Sequence, residues 1–97
     1  MKEVGEVFEF QWDRGNIGKN RKHNVEDKEA EEIFLDQNKA IFKDILHSTT
    51  EERYIILGKT SKDRLLYVVF TIRGKKIRII SVRNINKKEV HLYEKTI

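Results

Sequence analysis

Apolar positions change their spacing along the chain, and each change marks an element. Phe8, Phe10 and Trp12 alternate with Glu9 and Gln11, the period of a strand over residues 7–12. Asp13 can cap a helix over residues 14–23, in which Ile17 is the only large aliphatic residue. Gly15 and Gly18 make that helix a poor one, each costing up to ~1 kcal/mol relative to Ala. Lys19 and His23, four apart, share a face there, and Asn24 suits a left-handed cap. Residues 26–36 make the better helix, with Ala30, Ile33 and Phe34 as a narrow apolar stripe and Val25 stapling its start.

Four strands follow, over residues 39–43, 53–59, 64–72 and 76–83. The third is apolar on both faces, which predicts a central position in the sheet. Residues 58–63 and 73–75 have the length and composition of hairpin turns. Asn86 caps a last helix over residues 87–95, where Val90, Tyr93 and Ile97 recur at spacings of three and four. The order predicts an α+β fold in which an N-terminal strand and two helices pack on a twisted four-strand antiparallel meander, followed by a C-terminal helix. All helices are expected on one face. Residues 1–97 are expected to form a single domain, since independent cores usually need about 100–200 residues each.

Charge sharpens this picture. The net charge of +4 is unevenly spread: residues 26–36 carry six acidic side chains against one lysine, and residues 73–95 carry eight Lys or Arg against two Glu. An acidic helix and a basic C-terminal unit imply a polarised surface suited to an anionic partner. The absence of cysteine excludes disulfides, thiolate metal sites and cysteine nucleophiles. No apolar run approaches the ~20 residues of a membrane span, and the first six residues lack the apolar core of a signal peptide, so a cytoplasmic location is expected. His23, His47 and His91 have no zinc-ligand spacing and no Gly-rich phosphate loop is present, so no metal and no cofactor is expected.

The basic unit has the groups that RNA cleavage without metal requires. When a 2′-hydroxyl attacks its own phosphate, the protein supplies a base, positive charge around the phosphorane, and an acid for the leaving 5′-oxygen. Arginine suits the second role, because its planar fork matches two phosphate oxygens and stays protonated. Arg83 ends the fourth strand, and Tyr93 lies ten residues on, where a strand-to-helix reversal brings it back over the strand end. Tyr93 on its own reads first as the aromatic of an amphipathic helix, with its hydroxyl at the edge of the core. Arg78 precedes Arg83 by five residues, so strict alternation puts the two on opposite faces unless a bulge intervenes. A second constellation, His47-Ser48 with Glu51-Glu52-Arg53, holds a neutral-pH acid or base beside a strand start, or simply a loop fixed by its own hydrogen bonds.

The ordered motifs resemble one family. Phe10-x-Trp12-Asp13, Asn20-Arg21-Lys22-His23-x-Val25 and Glu29-Ala30-x-x-Ile33-Phe34 look like the opening of BrnT toxins. His47-Ser48-x-x-Glu51-Glu52-Arg53, Ile56-Leu57-Gly58, Arg64-Leu65-Leu66-x-Val68-Val69-Phe70-Thr71 and Arg73-Gly74 continue the likeness. It closes with Ile77-Arg78-Ile79-Ile80-Ser81-x-Arg83, Glu89 and Tyr93; Val82 stands where the family usually has Ala, and Asn24 where Gly is frequent. The resemblance implies a RelE-like, metal-independent endoribonuclease, the toxin of a type II toxin–antitoxin pair, which cleaves RNA and inhibits translation. It implies a hetero-oligomer with a BrnA-like ribbon-helix-helix antitoxin, and contact with operator DNA only through that antitoxin. By match to the motifs, Arg83 and Tyr93 are the first catalytic candidates, followed by Arg53, His47 and Glu52. Arg78, Lys76, Lys19 and Lys22 are the candidate RNA contacts. The general base stays open between Tyr93, His47 and a lysine. A non-catalytic RNA- or protein-binding module, or a degenerate toxin acting only as co-repressor with its antitoxin, is the alternative.

Overall fold

The computed structural model describes residues 9–95. It is α+β, built on one five-stranded mixed sheet. The strands are β1 (Glu9–Phe10), β2 (Ala40–Lys43), β3 (Arg53–Lys59), β4 (Leu65–Arg73) and β5 (Lys76–Asn84), with helices α1 (Asp27–Glu32) and α2 (Lys87–Glu94). Their order across the sheet is β1-β5-β4-β3-β2. Strands β2 to β5 pair antiparallel in sequence order, and β1 adds to the outer edge of β5 in parallel, Glu9 beside Lys76 and Phe10 beside Ile77. The four-strand sheet expected from the sequence is therefore a five-strand one. Val7, Phe8 and Ile97, assigned from the sequence to the first strand and last helix, lie outside the described residues.

The helices occupy both faces of the sheet, not one. On one face, the α1 face, Val25, Ala30, Ile33 and Phe34 pack against Ile56, Leu66, Val68, Phe70, Ile77, Ile79 and Val82. Phe34 meets Phe10 and Phe70 edge-on, with ring centroids 5.2 and 5.1 Å away, inside the 4.5–7 Å range favoured by aromatic pairs. On the other, the α2 face, Tyr93 packs with Ala40 and Leu57 beside Ile55, Leu65, Tyr67 and Ile85. The reason lies in β4, whose Leu66, Val68 and Phe70 point one way and Leu65 and Tyr67 the other. An element apolar on both sides needs cover on both.

Residues 14–23 form a turn and a 3-10 helix over Lys19–His23, where an α-helix was expected. The side chains of Asp13 and Asn16 take the local backbone for themselves: the Gly15 N–H donates to Asp13 at 2.8 Å and the Asp13 N–H to Asn16 at 2.8 Å. Such local bonds compete with helix formation. Gly18 at φ 68° and Asn24 at φ 59° bracket the 3-10 helix in left-handed geometry. The predicted helix over residues 26–36 is α only as far as Glu32, then tightens to a 3-10 turn at Ile33–Leu35. There it presses on β3, since a Cβ on Gly58 would lie 2.7 Å from Ile33 Cβ.

β5 carries a bulge. Phe70 pairs with Ile79 and Val69 with Ser81, leaving Ile80 as the extra residue. Asn16, buried in the preceding loop, donates through Nδ2 to the Ile79 carbonyl at 3.0 Å and to that of Gln11 at 2.9 Å, continuing the ladder where β1 stops. The bulge lets Ile77, Ile79 and Val82 all face the α1 core across an odd spacing. No helix among the described residues is long and apolar enough to cross a membrane.

Candidate functional site

The bulge decides which side chains meet. Arg78 pairs with Thr71 and Thr71 with Arg53, while Arg83 pairs with Tyr67 and Tyr67 with Leu57. Thr71, Val69 and Tyr67 share the α2 face by alternation, so Arg53, Arg78 and Arg83 share it too. Uninterrupted alternation separates Arg78 from Arg83; the extra Ile80 restores them to one side. The paired positions Arg73 and Lys76 extend the same face to the β4–β5 turn. That turn has Gly74 at φ 63° in the first central position, as a two-residue hairpin requires.

Each cation is held differently. Arg83 donates two bonds to Glu89, Nη1 to Oε1 at 2.9 Å and Nη2 to Oε2 at 2.6 Å. Its guanidinium carbon also lies 3.7 Å from the Tyr67 ring centroid. Glu89 caps the first turn of α2 through the Asn86 N–H, so one carboxylate fixes both the helix start and the arginine. Burial opposes ionisation of Glu89, but Arg83 and the Asn86 N–H hold its carboxyl below the usual range; Glu89 in turn raises the Arg83 pKa above the ordinary value. Arg78 reaches to the β5 edge and bonds Asp13 at 2.7 Å, which lowers the Asp13 carboxyl together with the Gly15 N–H. Gly15 gives it room, since a Cβ there would sit 2.5 Å from Nη2 of Arg78. Arg73 pairs with Glu51 at 2.7 Å and lowers its carboxyl, with Arg53 and Arg78 adding attraction. The Arg53 guanidinium makes no hydrogen bond or ion pair among the described residues.

His47 closes a 3-10 turn at Ile45–His47, with Nδ1 3.0 Å from Asp44 Oδ2. Asp44 is buried and the imidazole is exposed, so the carboxylate orients the ring and turns Nε2 toward solvent. Ser48 ties this pair to β3: its hydroxyl donates to the Asp44 carbonyl at 2.6 Å and accepts from the Arg53 N–H at 2.9 Å. Thr71 secures the loop from the neighbouring strand, donating to the Glu52 carbonyl at 2.7 Å.

Four candidates lie off the open cationic face. Glu52 bonds Lys43 at 3.0 Å and the Tyr54 hydroxyl at 2.9 Å, and its carboxyl is lowered chiefly by Lys43. Tyr54 stacks on Phe70 in the α1 core, so Glu52 is turned away from Arg53. Tyr93 is buried beneath α2, with its hydroxyl 2.7 Å from Asp36 Oδ2. Burial and the Asp36 carboxylate push the phenol up to about 12. Lys19 and Lys22 are exposed on the 3-10 helix flanking β5; at three residues per turn they share a side. The sequence reading left out Arg73, Asp44 and Tyr67. Asp44 was visible as an acid three residues before a histidine, and Arg73 as a cation beside a hairpin glycine. Tyr67 required the β4–β5 register.

The family profile described as "Ribonuclease toxin, BrnT, of type II toxin-antitoxin system" matches residues 12–89. The matched stretch includes every cation of the open face. No curated protein matches the chain.

Proposed function

The chain belongs to the BrnT family of type II toxin–antitoxin ribonuclease toxins, and from that premise we propose that it cleaves RNA on the open part of the α2 face by metal-independent 2′-hydroxyl attack. Membership implies an RNA substrate and a protein antitoxin partner. The observation that carries the reading is the Ile80 bulge, which sets Arg53, Arg78 and Arg83 on one face. Five cations at register positions 53, 73, 76, 78 and 83 supply the positive potential that a phosphorane needs.

In this mechanism Arg83, its fork aligned by Glu89, stabilises the equatorial phosphate oxygens. Arg53, whose guanidinium has no partner among the described residues, and Arg78 grip the adjoining phosphates, with Lys76, Lys19 and Lys22 as outer contacts. His47 accepts the 2′-hydroxyl proton through Nε2 while Asp44 steadies the imidazole. The 2′-oxygen–phosphorus bond forms, the bond to the 5′-oxygen breaks, and water protonates the leaving oxygen. The products are a 2′,3′-cyclic phosphate and a 5′-hydroxyl. Tyr93 acts as a positioning residue, because its ring anchors α2 and so holds Glu89 against Arg83. Glu52 steadies the β2–β3 junction from the opposite face.

In the cell, we propose a RelE-like toxin that inhibits translation in the cytoplasm. Its antitoxin is BrnA-like, with a ribbon-helix-helix domain that alone contacts operator DNA. The test is purified protein incubated with RNA in excess EDTA, followed by analysis of the new ends. Cyclic phosphate and 5′-hydroxyl ends support the reading. Salt-sensitive binding without cleavage, or cleavage abolished by EDTA, overturns it.

A further inference from the structure

Among the described residues β2 is an outer strand of the sheet, with β3 on one side and no strand on the other. Exposed edges normally carry charge, proline or a bulge to discourage pairing. This one has lysines at its two ends, Lys39 and Lys43, but also exposes large apolar residues: Ile41 and Phe42 on the strand and Ile45 and Leu46 in the 3-10 turn after it are 46%, 38%, 78% and 88% exposed. A single exposed leucine is ordinary, but four such residues within a span of six, two on an edge strand and two in the turn after it, mark a place where another chain can dock.

The backbone is presented for pairing as well. The Asp44 N–H bonds the Arg53 carbonyl at 2.8 Å, which makes 44–53 a hydrogen-bonded pair and sets the phase of the ladder. By alternation, Phe42–Ile55 and Ala40–Leu57 are also hydrogen-bonded pairs, so the peptide groups of Ile41 and Lys43 point outward. An apolar cleft of about 320 Å³, lined by Ile41, Tyr54, Phe70 and Ile72, opens on the α1 side of the same edge. It can take one apolar side chain of an added strand.

Charge selects the occupant. Lys39 and Lys43 stand two residues on either side of Ile41. A second copy paired antiparallel over positions 39, 41 and 43 would set Lys39 against Lys43 twice, and like charges directly opposed destabilise a sheet. A strand with carboxylates at those positions gains an ion pair at Lys39, which among the described residues meets only the Asp36 carbonyl, and shares Lys43 with Glu52. We infer that β2 is the docking edge for the protein antitoxin, which adds an extended segment as a sixth strand. That segment carries an apolar side chain for the cleft, acidic residues facing Lys39 and Lys43, and apolar contacts to Ile45 and Leu46. The inference rests on the toxin reading above, and it places the antitoxin's anchor outside the cationic face.

Two variants test it. Ile41→Pro removes an outward N–H that β3 does not use, and Leu46→Glu puts charge on the most exposed apolar residue. Each is titrated with the antitoxin encoded beside this chain, and each is expressed with and without that antitoxin. The inference predicts binding at least tenfold weaker and growth arrest that the antitoxin no longer relieves, with RNA cleavage by the free toxin within twofold of wild type. Folded variants that are bound and neutralised like wild type overturn it. So does a wild-type dimer that Leu46→Glu splits without changing antitoxin affinity. If wild type neither arrests growth nor binds that antitoxin, the toxin reading itself falls and takes this inference with it.

Discussion

Two arginine sites on neighbouring strands show opposite uses of the same group. Arg64, just before β4, spends its fork on the fold: Nε donates to Asn84 at 3.0 Å, and the two terminal nitrogens donate to the carbonyls of Asn24 and His23. It also lies 3.5 Å from Glu29. It therefore staples the 3-10 helix, α1 and the end of β5 together. Arg83, across the sheet, has its fork on the Glu89 carboxylate and the carbonyl of the adjoining Asn84, and its side chain is 41% exposed. Arg53 has no side-chain partner among the described residues. A guanidinium has five donors. Where the fold spends them on joining separate elements, as at Arg64, the residue is structural; where it aligns the fork at the surface on a neighbouring carboxylate, as at Arg83, or gives it no partner among the described residues, as at Arg53, the residue can turn to phosphate.

The contrast breaks first at Arg83. Arg83→Ala is expected to slow RNA cleavage by about 10²–10³-fold, the range seen when one oxyanion donor is lost, with a loss of stability limited to about 1–2 kcal/mol because Glu89 keeps the Asn86 N–H as a partner. A variant that loses stability alone would class Arg83 with Arg64. Arg64→Ala should spare cleavage. It is expected to cost about 1–2 kcal/mol of stability by removing the hydrogen bonds that tie the 3-10 helix to the ends of β4 and β5, while cleavage per folded molecule, read at low temperature, stays within twofold.

Gly15→Ala refines the comparison by displacing an arginine without removing it. The added methyl would push Arg78 off Asp13. A rise in KM of roughly fivefold is expected, about 1 kcal/mol, with kcat little changed. A fall in kcat alone would mean that Arg78 acts on the reacting phosphate itself. The smallest effect is assigned to Tyr93→Phe, which removes one hydrogen bond, about 1 kcal/mol, and leaves cleavage within threefold. A hundredfold loss would instead make the hydroxyl a catalytic group.

Alkaline pH gives Tyr93 a separate signature. Its phenol is raised to about 12 in the folded chain, against about 10 when unfolded. The stabilisation it provides is therefore complete below pH ~10 and lost as pH rises through about 12. Wild type should lose stability relative to Tyr93→Phe across that window, as followed by denaturant titration. Parallel curves would show that the Asp36 contact does not form.

Some of this was legible in the residues. The doubly apolar run at Leu65–Arg73 gave a central strand, and Asn86 three before Glu89 gave the start of α2. The same doubly apolar run also required cover on both faces, which element order alone did not convey. The stretch Ile79-Ile80-Ser81-Val82 hides its bulge, because an extra isoleucine among apolar residues leaves the hydrophobic pattern unbroken. The parity of Arg78 and Arg83 therefore read as opposite. The turn at residues 14–18 escaped for a related reason: its helix pattern was weak, and the Asp13 and Asn16 side chains settled the outcome. Tyr93 lay at helical spacing, and only tertiary contact revealed Asp36 as its partner.

The most direct measurement pairs Arg83→Ala with Arg64→Ala and determines, for each, the folded fraction and the single-turnover rate of RNA cleavage in EDTA. The account predicts a folded Arg83→Ala that cleaves at least a hundredfold more slowly, and a less stable Arg64→Ala whose folded molecules cleave like wild type. Equal cleavage by the two at matched folded fraction would contradict it.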